Sequence, residues 1–100
     1  NSFKFQMKLF YTRKAATDVD IAFLWYEQQR IGLGFDFIDC LEVSLGNIQA
    51  FPEMYEKSHK DFRRCIIRRF PYSLFYTIQN DTIIVHAVLS NKSNTNNYPG

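Results

Sequence analysis

Arg63, Arg64, Arg68 and Arg69 fall within seven residues and are the densest set of chemistry-bearing side chains in the sequence. A guanidinium offers a planar fork of donors that matches phosphate or carboxylate bidentately. Lys57 and Lys60 lead into the run, with Glu56 and Asp61 the acids beside it. Asp18, Asp20, Glu27, Asp36, Asp39 and Glu42 lie earlier, so one stretch is basic and another mildly acidic. A run like this is either a solvated face or a surface that receives an anion. The net charge of +2 is too small to indicate nucleic-acid binding by itself. Phe62, Phe70 and Tyr72 are interleaved with the arginines and could stack bases, which keeps a nucleic-acid-binding module among the readings.

Proton-transfer candidates are few. His59 lies in a polar stretch and is a candidate proton carrier. His86 sits between Val85 and Ala87 in an apolar run and reads as structural, and Tyr76 reads as a core aromatic. Cys40 and Cys65 lack any metal-type spacing and have no His near them in sequence. Both stand among apolar residues, so the expectation is a pair of reduced, buried thiols in a reducing cytoplasm. No glycine-rich phosphate loop, catalytic carboxylate pair or Ser-His-Asp set is present, and Gly32 with Gly34 makes no nucleotide fingerprint. No cofactor and no metal are expected. Neither a signal peptide nor a transmembrane run is evident, so no membrane role is expected.

The elements that must position these residues follow from periodicity. The chain has 100 residues, 46% hydrophobic and 17% aromatic, enough for one small folded domain. "FKFQMKLFY" alternates strictly and predicts a half-buried strand; Met7 could be a native start, although the alternation runs back to Phe3. Thr12 can cap a helix over Lys14 to Arg30, in which Ala15, Val19, Ala22, Phe23 and Tyr26 recur at helical spacing. Ile21, Leu24 and Trp25 widen its apolar stripe beyond what one packing face uses, which marks this helix as a partner-binding surface. Gly32 suits a left-handed C-cap. A second helix is predicted from Phe35 to Ala50, with Ile38, Leu41, Leu45 and Ile48 spaced by three, four and three, and Pro52 ends it. "FPEMYEKSHKD" reads as a polar connection. Strand character returns at Phe62 and lasts to Leu89, with Asn80-Asp81 as a hairpin turn.

The predicted class is α+β: a mostly antiparallel four-stranded sheet with an α-helical hairpin on one face, ordered β-α-α-β-β-β. Residues 1–90 form the single domain and 91–100 a polar tail. Pro71 cannot donate to a sheet ladder, so "RRFPY" is the bend between two strands. Strict alternation would put Arg64 and Arg68 on one side with Phe62 and Ile66, and Arg63 and Arg69 on the other with Cys65 and Ile67. That gives a concave basic surface or a charge-protected edge.

Taken in order, "AATDVDIAFLWYEQQRIGLGFDFID" and "AFPEMYE…FRRCIIRRFPYSLFYTIQNDTIIVHAV" resemble the RelE/ParE toxin superfamily, also called plasmid stabilisation system proteins. The matching positions are Ala15 and Asp18, then Trp25-Tyr26-Glu27, Gly32-Leu33-Gly34, Phe51-Pro52 with Tyr55, Arg63-Arg64, and Arg69-Phe70-Pro71-Tyr72. The resemblance implies that the first strand runs beside the last. It also implies a bacterial growth-inhibiting toxin neutralised by a cognate antitoxin that drapes over the helical hairpin and sheet; the apolar excess of the first helix puts the antitoxin site at Ile21, Leu24 and Trp25. Some members cleave messenger RNA on the ribosome, and others inhibit DNA gyrase. This sequence departs from the family where its last strand usually continues into a His, an Arg and Asp-Pro: Ser90 and Ser93 stand in place of the His and the Arg, and the Asp-Pro is missing.

Metal-independent RNA cleavage needs a base, cations for the developing phosphate charge and a proton donor. Arg63, Arg64, Arg68 and Arg69 could bind target or phosphate, and Arg64, Arg68, Arg69 and His59 are the catalytic candidates. The set is incomplete without the terminal His and Arg. The reading is therefore a toxin that binds a protein target such as DNA gyrase, or a nuclease-deficient relative. The alternative is a ribosome-dependent mRNA endonuclease. A homodimer is compatible with the sequence.

Overall fold

The computed structural model describes residues 7–92. The elements are β1 (Lys8–Tyr11), α1 (Arg13–Gln29), α2 (Leu33–Ala50), β2 (Lys57–His59), β3 (Phe62–Ile66), β4 (Tyr72–Gln79) and β5 (Thr82–Ser90). They build one sheet in the order β1-β5-β4-β3-β2, with β1 parallel to β5 and the other pairs antiparallel. Two helices cover one face of it. The α+β class and the pairing of first with last strand hold, and the sheet has five strands rather than four. The added strand is β2, within what reads in sequence as a polar connection. Its three residues are all exposed, so no apolar alternation announces it. The first half of the expected initial strand lies outside the described residues.

Thr12 starts α1 as expected, its hydroxyl accepting from the Ala15 N–H at 3.1 Å. Ala15, Ala22 and Tyr26 are the buried line of α1; Phe37, Leu41, Ser44 and Ile48 are that of α2. The turn between the helices depends on Glu27, whose two carboxylate oxygens accept from the Gly32 and Gly34 N–H groups, each at 2.9 Å. Gly32 is left-handed at φ 91°, and it caps the start of α2, while Arg30 closes α1. At Gly34 a Cβ would come within 2.7 Å of the Phe23 carbonyl oxygen, so the helices approach too closely there for any side chain.

β1 covers only the first half of β5. Beyond it, Thr12 takes over: its N–H donates to the Val85 carbonyl at 2.9 Å and its hydroxyl to the His86 carbonyl at 3.2 Å. The Val88 N–H donates to the Asp18 carboxylate at 3.0 Å. A strand edge left without a neighbour is thus satisfied from α1.

Leu74, Tyr76, Ile83, Val85 and Val88 face the helices. The β4–β5 register slips between Phe75 and Tyr76, which makes His86 the extra residue of a bulge. This slip explains why the β5 sequence reads as apolar on both sides: Val85 and Val88 share one face although they are three apart. Cys65 is buried as expected, but Cys40 is only half-buried. It packs against the rim of the core and also borders a groove beside α2.

Candidate functional site

The bend after β3 decides where the arginines stand. β3 stops at Ile66, Arg69 adopts a left-handed φ of 74°, and the Ile67 N–H donates across the bend to the Tyr72 carbonyl at 2.9 Å. Phe70 anchors the bend in the core, its ring centroid 4.9 Å from that of Tyr26 and 5.4 Å from that of Phe37. Alternation therefore ends before Arg68. Arg68 and Arg69 stand in the bend and not on the strand, so strand alternation assigns neither of them a face. The four guanidiniums go to three places.

Arg63 is on the helix side, in register with Tyr76. Its Nη1 donates to the Tyr55 carbonyl at 2.6 Å and the Glu53 carbonyl at 3.3 Å. The Tyr76 hydroxyl donates to the Pro52 carbonyl at 2.6 Å. Both side chains thus hold the α2–β2 connection in place. Burial pushes the Tyr76 phenol up to about 12, which suits a core hydrogen-bond donor and not a base.

Arg64 is on the helix-free, or open, face of the sheet, opposite Phe75, although Ser73, Phe75 and Thr77 on that face are themselves buried. Its Nε donates to Ser73 Oγ at 2.9 Å and its Nη2 to Asn91 Oδ1 at 3.3 Å. The guanidinium also lies 5.9 Å from the Phe75 ring centroid. His86 shares this open face, with Nε2 2.9 Å from Thr77 Oγ1 and its ring 5.0 Å from that of Phe62. Burial lowers its pKa below the usual histidine value, so it is neutral at pH 7. His59 is exposed at the end of β2, on a strand and not in a loop. Arg68 and Arg69 are exposed in the bend. Ser90 ends β5 and its hydroxyl accepts from the Lys92 N–H at 3.2 Å; Ser93 lies outside the described residues. Among the described residues, no group of three or more His, Cys, Asp and Glu could hold a metal ion, and no helix is long and apolar enough to cross a membrane.

A groove of about 350 Å³ runs between α1 and the bend, lined by Ile21, Trp25, Tyr26, Pro71, Tyr72 and Lys92. A second hollow of about 160 Å³ shares Ile21, Tyr72 and Ser90 with it and continues along β5 past Asp18 and Val88. Ile21 is 61% exposed and Trp25 54% exposed. Leu24 is equally exposed but does not line the groove.

Residues 9–94 match the family model for the ParE toxin of the type II toxin–antitoxin system parDE. The chain belongs to this ParE family. Its fold is similar to that of a chain in a structure of the chromosomal ParDE TA system from P. aeruginosa, with a TM-score of 0.74 and 18% identity over 84% of this chain and 95% of that one. A chain of the RelB-RelE antitoxin-toxin complex from Methanococcus jannaschii is also similar in fold, with a TM-score of 0.53 and 18% identity over 90% of this chain and 99% of that one. No curated protein matches.

Three features of this ParE-family chain escape a reading of its sequence. Ser73 and Asn91 hold Arg64 from nine and twenty-seven residues away, a contact only the strand register creates. Tyr26, Pro71 and Tyr72 complete the groove beside Trp25, although Pro71 reads only as a turn signal. Glu27 holds the helical turn, and its position five residues before Gly32 is the one available hint.

Proposed function

We propose that this ParE-family toxin acts by binding a protein target, DNA gyrase, and not by cutting RNA. The observation that carries the reading is the dispersal of the four arginines. One ties down the α2–β2 connection, one lies on the open sheet face, and two stand on the bend. Cleavage would need several cations and a proton carrier gathered around one phosphate. Binding needs only a surface, and the exposed Arg68 and Arg69 supply one. The likeness to a chain of a ParDE system supports the same choice.

We further infer that the antitoxin seats an apolar segment in the groove lined by Ile21 and Trp25. Both structural neighbours come from toxin–antitoxin pairs, which supports an antitoxin partner here. Large aromatic anchors in such grooves dominate interface energies. Trp25→Ala is expected to weaken antitoxin binding by about 2 kcal/mol or more, measured by titration calorimetry. The target is tested by adding the purified protein to a gyrase supercoiling reaction. Inhibition that the antitoxin relieves is the expected result; full supercoiling at a stoichiometric excess of toxin contradicts it.

A second reading, ribosome-dependent mRNA cleavage, is favoured by one observation: Arg64 and the neutral His86 share the open sheet face.

A further inference from the structure

A separate groove lies on the opposite side of the hairpin, between α2 and the outer edge of β3. It encloses about 250 Å³ and is lined by Cys40, Val43, Asn47, Ile66, Arg68 and Arg69. It exists because β2 is short: pairing with β3 reaches only Arg63, and the Arg64 N–H bond to the Glu56 carbonyl at 3.2 Å is the last contact along that edge. The rest of the edge, with α2 beside it, stays open. Val43 and Ile66 form apolar walls, 59% and 60% exposed.

The cationic end of the groove is built by the backbone. The left-handed φ of Arg69 is unusual for a residue with a long side chain. It turns the guanidinium back over Phe70, 5.8 Å from that ring centroid, and brings Nη1 to 3.9 Å from Cys40 Sγ. Among the described residues no carboxylate forms an ion pair with Arg68 or Arg69. Two guanidiniums, two apolar walls and a half-buried thiol therefore meet in one hollow. The other cysteine is the internal contrast: Cys65 is 1% exposed, and burial pushes its thiol up.

We propose that this groove binds small organic anions and that, when the anion carries a disulfide, Cys40 exchanges with it. The class is a carboxylate-bearing low-molecular-weight disulfide such as glutathione disulfide. Its carboxylates pair with Arg68 and Arg69, and its carbon chain lies against Val43 and Ile66. The Cys40 thiolate attacks one sulfur; the Cys40 S–S bond forms as the original S–S bond breaks. The other half leaves as a thiolate and takes up the proton that Cys40 released. Cys40 is oxidised, half of the small disulfide is reduced, and no other reactant is needed. The guanidinium beside Cys40 holds the anionic reagent where its S–S bond can meet the sulfur. The adduct also places negative charge on the bend.

The test uses the full, reduced chain with glutathione disulfide, neutral hydroxyethyl disulfide and cationic cystamine. Each rate is divided by the rate for the same reagent with the denatured chain, and sites are mapped by peptide mass. Modification is expected at Cys40 alone. The normalised rate with the anion should exceed that with the cation by about tenfold or more at low salt. High salt should shrink this ratio toward one, as should the double substitution R68Q and R69Q. The salt series on the unsubstituted chain stands even if the double variant misfolds. Cystamine reacting as fast as glutathione disulfide at low salt, or Cys65 reacting first, would overturn the proposal.

Discussion

Arg63-Arg64 and Arg68-Arg69 are the same dipeptide five residues apart, and they have opposite situations. The first pair lies in β3, where the ladder fixes which way each side chain points. Arg63 faces the helices and serves backbone carbonyls; Arg64 faces away and is held by Ser73 and Asn91. The second pair lies in the bend, where Pro71 and the left-handed Arg69 end the alternation. Both residues are exposed and line the groove between α2 and β3, with the Arg69 guanidinium folded back over Phe70. Residue type sets what an arginine can do, and the backbone that carries it decides which of those things it does.

The largest expected effect separates the pairs by stability. Arg63→Ala removes charged hydrogen bonds from two carbonyls and is expected to cost about 1.5–3 kcal/mol in urea denaturation. Arg68→Ala should stay within about 0.5 kcal/mol. A comparable loss at Arg68 would erase the distinction and make the bend arginines structural as well.

A smaller effect is expected at the partner of Arg63. Tyr76→Phe keeps the packed ring and deletes the bond to the Pro52 carbonyl, for a loss of about 0.5–1.5 kcal/mol. The cost should fall on the same α2–β2 connection. Hydrogen exchange there should rise in both variants and stay unchanged in Arg68→Ala. Exchange that rises elsewhere instead would show that Arg63 and Tyr76 do not share a task.

The smallest effect comes from pH and probes the open face that Arg64 occupies. Burial lowers the His86 pKa in the folded state, so below about 6.5 the unfolded chain binds a proton that the folded chain still refuses. His86 thus favours folding above that pH, and this contribution is lost as pH falls through 6.5 toward the folded value. Chemical denaturation of the unsubstituted chain should show the slope, and His86→Gln should flatten it. An unchanged slope would mean that His86 is as solvated as it is in the unfolded chain.

Much of the architecture was legible because it rests on local patterns. Thr12, the two helical stripes, the glycine turn and the Asn80-Asp81 hairpin all follow from capping, periodicity and turn chemistry. β2 was not, since three exposed residues carry no pattern and owe their conformation to pairing with β3. The faces of Arg68 and Arg69 were misread because alternation was carried through a bend that stops it. Cys40 was misplaced for a related reason: apolar sequence neighbours on a helix point in several directions, and its own direction is toward a groove. On α1, an excess of apolar residues correctly marked Ile21 and Trp25 as exposed. Leu24 carries the same signal but points away from the groove, which only the packing of α1 against the bend reveals.

The most direct test of the central claim adds the purified, unsubstituted protein to translating ribosomes and maps the message by primer extension. The dispersal of the four arginines predicts intact message at toxin concentrations that saturate the antitoxin. Codon-selective cleavage of ribosome-bound message, lost in Arg64→Gln or His86→Gln, would contradict it and make the open sheet face a nuclease site.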